Sequence, residues 1–242
     1  MKRHDYSIII PTLNEEKFLP RLLASLVIQT VKDFEIIVSD GGSKDNTTTI
    51  AKKYGAKVII HTNTTVTQAR QNGLEEASGK IIVGADADTI YPHDHLDRIA
   101  KDMREDEKIV AVGGGGLFES KPWWTHWGWR ITYYILGKLY QYFALVIYVP
   151  AFNLSFRKDV FLKVGGYDTK LDFGGDEIDV LKKLKTMGKV LFDIQLHPNP
   201  SSRRAKEGFW KLIVQHTLID YYLGYILAKV FGKAIIKGKQ VR

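Results

Sequence analysis

The sequence predicts an α/β fold: a mainly parallel sheet flanked by helices, with a C-terminal amphipathic helical appendage. Three observations point to it. Short β-branched runs alternate with stretches of helical periodicity through the first half of the chain. Polar clusters follow those runs directly, at 12–16, 40–45 and 86–89, where open parallel sheets bind ligands beyond the carboxyl ends of their strands. The 242 residues, 45% of them hydrophobic, suffice for one sizeable core and an appendage.

The elements follow in order. Residues 7–10 read as a buried strand rich in isoleucine. From Glu15, the positions Phe18, Leu22, Leu23, Leu26 and Val27 recur at helical spacing, and Pro20 is tolerable because it falls in an early turn. Residues 35–39 form a second strand, 47–54 a helix, 57–61 a third strand, 67–77 a helix closed near Gly79, and 80–85 a fourth strand. Strands separated by helices need right-handed crossovers, hence parallel pairing. The polar run His93-Asp94-His95 after Pro92 opens another helix with Asp94 as its cap. After Val112 the character changes. Four glycines at 113–116 permit a sharp turn or a close backbone approach to a ligand. A strongly aromatic stretch spans 123–150, followed by a strand at 152–156, a helix at 177–187, a strand at 190–194 and a closing helix at 208–236.

Composition narrows the chemistry. With no cysteine, disulfides, thiol nucleophiles and cysteine-ligated metals are excluded. The net charge of +8 implies anionic partners. No acidic residue follows Asp220, whereas Lys229, Lys233, Lys237, Lys239 and Arg242 do, so the excess lies in an apolar C-terminal stretch. That placement favours a membrane surface over a nucleic-acid groove. Residues 1–6 are polar and the apolar run at 7–13 is short and meets Pro11, so no secretory signal is expected. The expected location is cytoplasmic, peripheral on the inner face of the plasma membrane.

Asp86-Ala87-Asp88 follows a strand directly, and alternation turns both carboxylates the same way, toward one cation. Hard oxygen ligands suit Mg²⁺ or Mn²⁺, with substrate phosphates and water completing the shell. Alone, such a pair at a strand end is usually just solvated. Its company gives it meaning. Ile8-Ile9-Ile10-Pro11-Thr12-Leu13-Asn14-Glu15 and Val38-Ser39-Asp40-Gly41-Gly42-Ser43-Lys44-Asp45-Asn46-Thr47 resemble the first two strand-end signatures of family 2 glycosyltransferases with the GT-A fold. Ala69-Arg70-Gln71-Asn72-Gly73 and Ala77-Ser78-Gly79-Lys80 look like the helix preceding that family's Asp-x-Asp strand. Val164-Gly165-Gly166-Tyr167-Asp168 and Asp176-Glu177-Ile178-Asp179 extend the similarity to about residue 205.

The resemblance implies one domain over 1–205, with a nucleotide-sugar-binding half at 1–112 and an acceptor half at 113–205. Residues 206–242 then form a membrane-associating or oligomerising segment. It implies an inverting transferase using a nucleotide diphosphate sugar, a UDP-sugar by preference. Thr12 and Asp40 would meet the nucleobase and Glu15 the ribose or base, with Pro11 and Asn14 beside them. Arg70, Asp86 and Ala87 would serve the diphosphate, a fork of guanidinium donors matching phosphate oxygens. Read without that resemblance, Asp40 and Asp45 are loop caps and Arg70 a solvated helix position.

The family usually carries Glu-Asp where this chain has Asp176-Glu177, so the general base falls on Glu177, with Asp176 as rival. Both also suit the positive end of a helix. His197 is expected to complete the metal site, or else to be a loop residue before Pro198. Ser201-Ser202-Arg203-Arg204 resembles a Ser-x-Arg-Arg segment that could clamp the leaving diphosphate. Trp123, Trp124, Trp127 and Trp129 with Tyr133, Tyr134, Tyr140 and Tyr142 suit a membrane interface, a sugar-stacking surface or a plain core helix. Lys229, Lys233 and Lys237 make a basic stripe against Ile226, Leu227, Val230, Phe231 and Ala234, the pattern of an interfacial helix, with oligomerisation as its rival.

The acceptor expected is a glycan or lipid-linked hydroxyl. A polyprenyl-phosphate sugar synthase and a non-catalytic nucleotide-sugar or membrane-binding module are the alternatives. Nucleic acid is not an expected partner, because it would leave the acidic strand ends unexplained. A Rossmann dehydrogenase is disfavoured, because Pro-Thr-Leu-Asn-Glu follows the first strand in place of a Gly-x-Gly-x-x-Gly loop.

Overall fold

The alternating isoleucines of the first strand serve two cores at once. The computed structural model describes residues 4–62, 64–117, 123–143, 146, 148–171, 176–201, 203 and 223–231. In chain order these hold β1 (Tyr6–Thr12), α1 (Leu19–Val27), β2 (Phe34–Asp40), α2 (Thr47–Lys53), β3 (Lys57–Ile60) and α3 (Val66–Glu76). Next come β4 (Ile81–Gly84), β5 (Thr89–Ile90), α4 (His95–Glu105), β6 (Ile109–Gly113) and α5 (Trp123–Phe143). A 3₁₀ turn (Ala151–Asn153) leads to β7 (Leu154–Arg157), α6 (Lys158–Lys163), α7 (Asp176–Lys185), β8 (Lys189–Phe192), β9 (Asn199–Pro200) and α8 (Gly224–Phe231).

Ile8 and Ile10 of β1, with Ile36 and Val38 of β2, face one core that is closed by α1 and α4. Ile9 and Ile37 face the other, closed by α3, α6 and α7. Leu19, Leu22, Leu23 and Leu26 of α1 are all buried in the first core, each worth roughly 1.5–3 kcal/mol. The result is a seven-stranded sheet in the order β3-β2-β1-β4-β7-β6-β8. The predicted mainly parallel sheet is what forms, with β7 antiparallel to both of its neighbours. One sheet therefore runs through both predicted halves. β5 and β9 make a small separate antiparallel pair.

Several details depart from expectation. The residues expected as a strand at 152–156 begin as the 3₁₀ turn, which brings Asn153 under the sheet edge. There its amide donates to the carbonyls of Gly115 and Leu196, both at 2.6 Å. Asp94 is the N-cap of α4, but its side chain makes no capping bond. The buried Gln29 does that work instead, its Oε1 accepting from the Leu96 N–H at 3.1 Å. The four glycines do mark a close approach, to the protein's own chain: a Cβ at Gly114 would lie 2.3 Å from the Leu196 carbonyl, and one at Gly115 2.4 Å from the Tyr133 ring. Of the closing helix, Gly224–Phe231 is helical with Leu223 just before it, and the rest of 208–236 lies outside the described residues.

Candidate active site

The carboxyl ends of β1 and β2 are in register, Thr12 opposite Asp40. Thr12 donates its hydroxyl to Asp40 Oδ2 at 2.9 Å. Asp40 also accepts from the Ser43 hydroxyl at 2.5 Å and from the N–H groups of Gly42 and Ser43 at 2.9 and 2.7 Å. A carboxylate offers about four lone-pair sites, so this one is fully engaged. Asp45 is likewise a loop organiser, accepting from the Thr47 N–H and hydroxyl and from the Glu16 N–H. Asn14 adopts a left-handed φ of 57°, which asparagine tolerates, and its Oδ1 accepts from the Lys44 N–H at 2.8 Å. The two loops are thus laced into one ledge beside Pro11.

β4 ends at Gly84, so the alternation expected to turn both aspartates one way does not operate. Asp86 and Asp88 stand in a turn closed by the Thr89 N–H on the Asp86 carbonyl at 3.0 Å, with Ala87 buried between them. Each is held by a different arginine. Arg70 of α3, itself buried, spans Asp86 at 3.2 Å and Asp176 at 2.5 Å. Burial disfavours its charge, but Asp176 and Asp86 outweigh that and keep its pKa above the ordinary arginine value. Arg203 binds Asp88 through Nε at 2.9 Å and forks onto Glu15 at 3.0 and 3.1 Å, with its guanidinium over the Phe18 ring. Ser201 adds a hydroxyl bond to Asp88 at 2.7 Å. Burial pushes the Glu15 carboxyl up despite Arg203.

Glu177 follows Asp176 at the start of α7. Its Oε2 is buried without a hydrogen-bond partner. Burial and the neighbouring Asp176 push its pKa to about 8, with Arg70 opposing. Tyr167 is buried beside Arg70, Asp176 and Glu177, its backbone N–H held by Gln71 at 3.0 Å.

The structure thus gathers Glu15, Arg70, Asp86, Asp88, Asp176, Glu177 and Arg203 around one sheet edge. His197 lies elsewhere, lining a cavity with Pro92, Asp94, His95, Arg98, Gln195 and Leu196. Among the described residues no three metal-ligating side chains cluster together, so His197 does not join the aspartates in such a group. Arg204 lies outside the described residues. Phe18, under the Arg203 guanidinium, and Gln71, on the Tyr167 N–H, adjoin this cluster. The sequence signals Gln71 by its place next to Arg70, whereas Phe18 falls in the apolar spacing read as helix from Glu15.

Comparison with known proteins gives this geometry a lineage. The family model described as "Glycosyl transferase family 2" matches residues 7–164. A "PGL/p-HBAD biosynthesis glycosyltransferase" of Mycobacterium bovis is 39% identical over 131 residues, 51% of this chain and 50% of the relative. A "Glucosyl-dolichyl phosphate glucuronosyltransferase" of Haloferax volcanii is 23% identical over 182 residues, 71% of this chain and 58% of the relative. The chain therefore spans about half the length of the curated relatives it matches first. A mannosyltransferase of Pyrobaculum calidifontis, solved with GDP-Man and Mn²⁺, shares the GT-A fold at a TM-score of 0.73 and 19% identity. That match covers 100% of this chain and 67% of the other. With the family model covering well over half its length, this chain belongs to glycosyltransferase family 2.

Proposed function

We propose that the chain is an inverting, metal-dependent glycosyltransferase. It would move a sugar from a nucleotide diphosphate donor, a UDP-sugar by preference, to a hydroxyl of a glycan or lipid-linked acceptor at a membrane surface. Arg70 carries the reading. One guanidinium pairs Asp86 at the donor-side strand end with Asp176 at the head of the helix bearing Glu177, so donor and acceptor groups share one frame.

Thr12 and Asp40, with Pro11 and Asn14, form the nucleobase end. A uracil N–H would bind Asp40 in exchange for one of its two hydroxyl donors, Thr12 or Ser43. Asp86 and Asp88 are hard-oxygen donors of the type a divalent ion takes. The Asp86 side chain keeps 37% exposure, whereas Asp88, at 13%, would exchange its Arg203 and Ser201 contacts for the ion. Such an ion offsets charge on the leaving diphosphate. Arg70 and Arg203 would supply further positive charge toward the same oxygens, and Arg204, expected to share that role, lies outside the described residues. Glu177 removes the acceptor proton as the acceptor oxygen joins the anomeric carbon and the bond to the diphosphate breaks. The name of the Haloferax relative, a transferase acting on a dolichyl-linked sugar, supports a lipid-linked acceptor.

The test is a thermal-shift panel of UDP-, GDP- and dTDP-sugars with and without Mn²⁺. A donor present at about 100 times its Kd should stabilise the protein by about 2.7 kcal/mol, and only with metal. No metal-dependent shift with any donor counts against the proposal.

A lipid phosphate acceptor, as in a polyprenyl-phosphate sugar synthase, is the second reading. The observation favouring it is that Glu177, with a pKa near 8, holds its proton at neutral pH. An ionised phosphate needs no base, so the two readings part at Glu177.

A further inference from the structure

We propose that the outer stripe of α5, rather than the basic C-terminal segment, is the surface by which the protein docks on an anionic lipid bilayer. The inference rests on the membrane-surface reading above and deepens it. Tyr133, Leu136, Gly137 and Tyr140 turn α5 inward. Tyr133 and Leu136 join the second core, and a Cβ at Gly137 would meet Ile194 at 2.3 Å. Trp127, Ile131, Tyr134, Ile135 and Tyr142 recur at i, i+4, i+7, i+8 and i+15 on the opposite side, each more than half exposed. An exposed aromatic and aliphatic stripe of this kind marks an interaction site.

Charge selects the occupant. No acidic residue occurs anywhere in α5. Of its two cations, Arg130 flanks the stripe, over the Trp127 ring at 5.8 Å, and Lys138 lies within it, over Tyr134 and Tyr142 at 5.5 and 5.6 Å. Long basic side chains beside tryptophan and tyrosine rings place apolar stems in the acyl boundary and charge among anionic headgroups. A second copy through the same stripe would bring further cations and no acidic side chain of α5 to Arg130 and Lys138. No helix among the described residues is long and apolar enough to cross a membrane, so α5 lies along the surface. Tyr133 packs on Gly115, just past the end of β6, so docking brings the active-site edge of the sheet near the headgroups.

Flotation of the full chain with phosphatidylcholine vesicles, with and without phosphatidylglycerol, tests this. The protein should float only with the anionic vesicles. Ile131→Asn with Ile135→Asn should lower partitioning by about tenfold or more, from the lost burial of two exposed side chains. Lys138→Glu should do so at low salt. Lys233→Glu with Lys237→Glu should leave most binding intact. Circular dichroism and the donor thermal shift must remain unchanged in all three. Binding that survives the α5 changes and is lost with the C-terminal ones overturns the α5 assignment but keeps the membrane reading. Wild-type protein that fails to float, or a dimer split by the α5 changes without flotation, overturns both, while the donor shift still reports on glycosyl transfer.

Discussion

Asp176 and Glu177 are neighbours with opposite commitments. Asp176 is bound to Arg70 at 2.5 Å, whereas Glu177 keeps one buried oxygen without a partner. A base must have a lone pair to offer, so the proposed roles divide along that line: Asp176 holds the frame and Glu177 takes the proton. Glu177→Gln should lower transfer to a hydroxyl acceptor by about 10²–10⁴-fold, with the donor thermal shift retained. Wild-type rate at saturating substrate should climb with pH toward about 8 as the carboxyl ionises, and the Gln variant should lose that limb. Near-normal turnover by Glu177→Gln would instead favour the phosphate-acceptor reading. Asp176→Asn should behave differently, weakening donor binding through Arg70, which would lose the shorter of its two ion pairs and keep only Asp86 to hold it.

The strand that delivers Asp86 depends on a single missing side chain. A Cβ at Gly84 would stand 2.3 Å from the Ala151 carbonyl and 3.2 Å from that of Leu154, both backbone atoms with no rotamer to move. Gly84→Ala should therefore shift β4 against the 3₁₀ turn, destabilising the fold by about 1–3 kcal/mol. Metal-dependent donor stabilisation should fall with it, because Asp86 lies two residues on; an unchanged Tm and donor shift would refute this account. Such contacts also mark where the sequence stops being legible. β1, β2 and α1 could be read because their isoleucine and leucine spacing is local. The antiparallel insertion of β7 and the β5–β9 pair depend on chain closure far along the sequence. The same holds within the site. Asp86, Asp88, Arg70 and Glu177, the residues of the proposed site, each stand in a local motif. The bridge from Arg203 to Glu15 and Asp88 joins residues whose pairing no local pattern encodes, and His197 shows that a suggestive position after the last sheet strand does not decide direction.

Over the whole molecule, buried titratable groups pull stability in opposite directions with pH. Burial lowers His95 to about 3. Acidification below its unfolded value of 6.5 therefore protonates the unfolded chain preferentially, and stability falls. Burial raises Glu177 from 4.5 to about 8, and burial with Asp193 and Glu105 raises Asp102 from 3.8 to about 7. These two carboxyls stay protonated in the fold after they have ionised in the unfolded chain. The native state then binds more protons, and stability falls as pH rises from about 4 toward 8. Asn and Gln imitate the protonated forms, so Glu177→Gln with Asp102→Asn should relieve the alkaline loss. In urea unfolding the double variant should match wild type near pH 4.5 and exceed it at pH 8. The expected gain is on the order of 2 kcal/mol, below the full linkage value because residual hydration damps both shifts. An advantage that does not change with pH would mean that neither carboxyl is held protonated by the fold, and would remove the reason to expect an alkaline activity limb at Glu177.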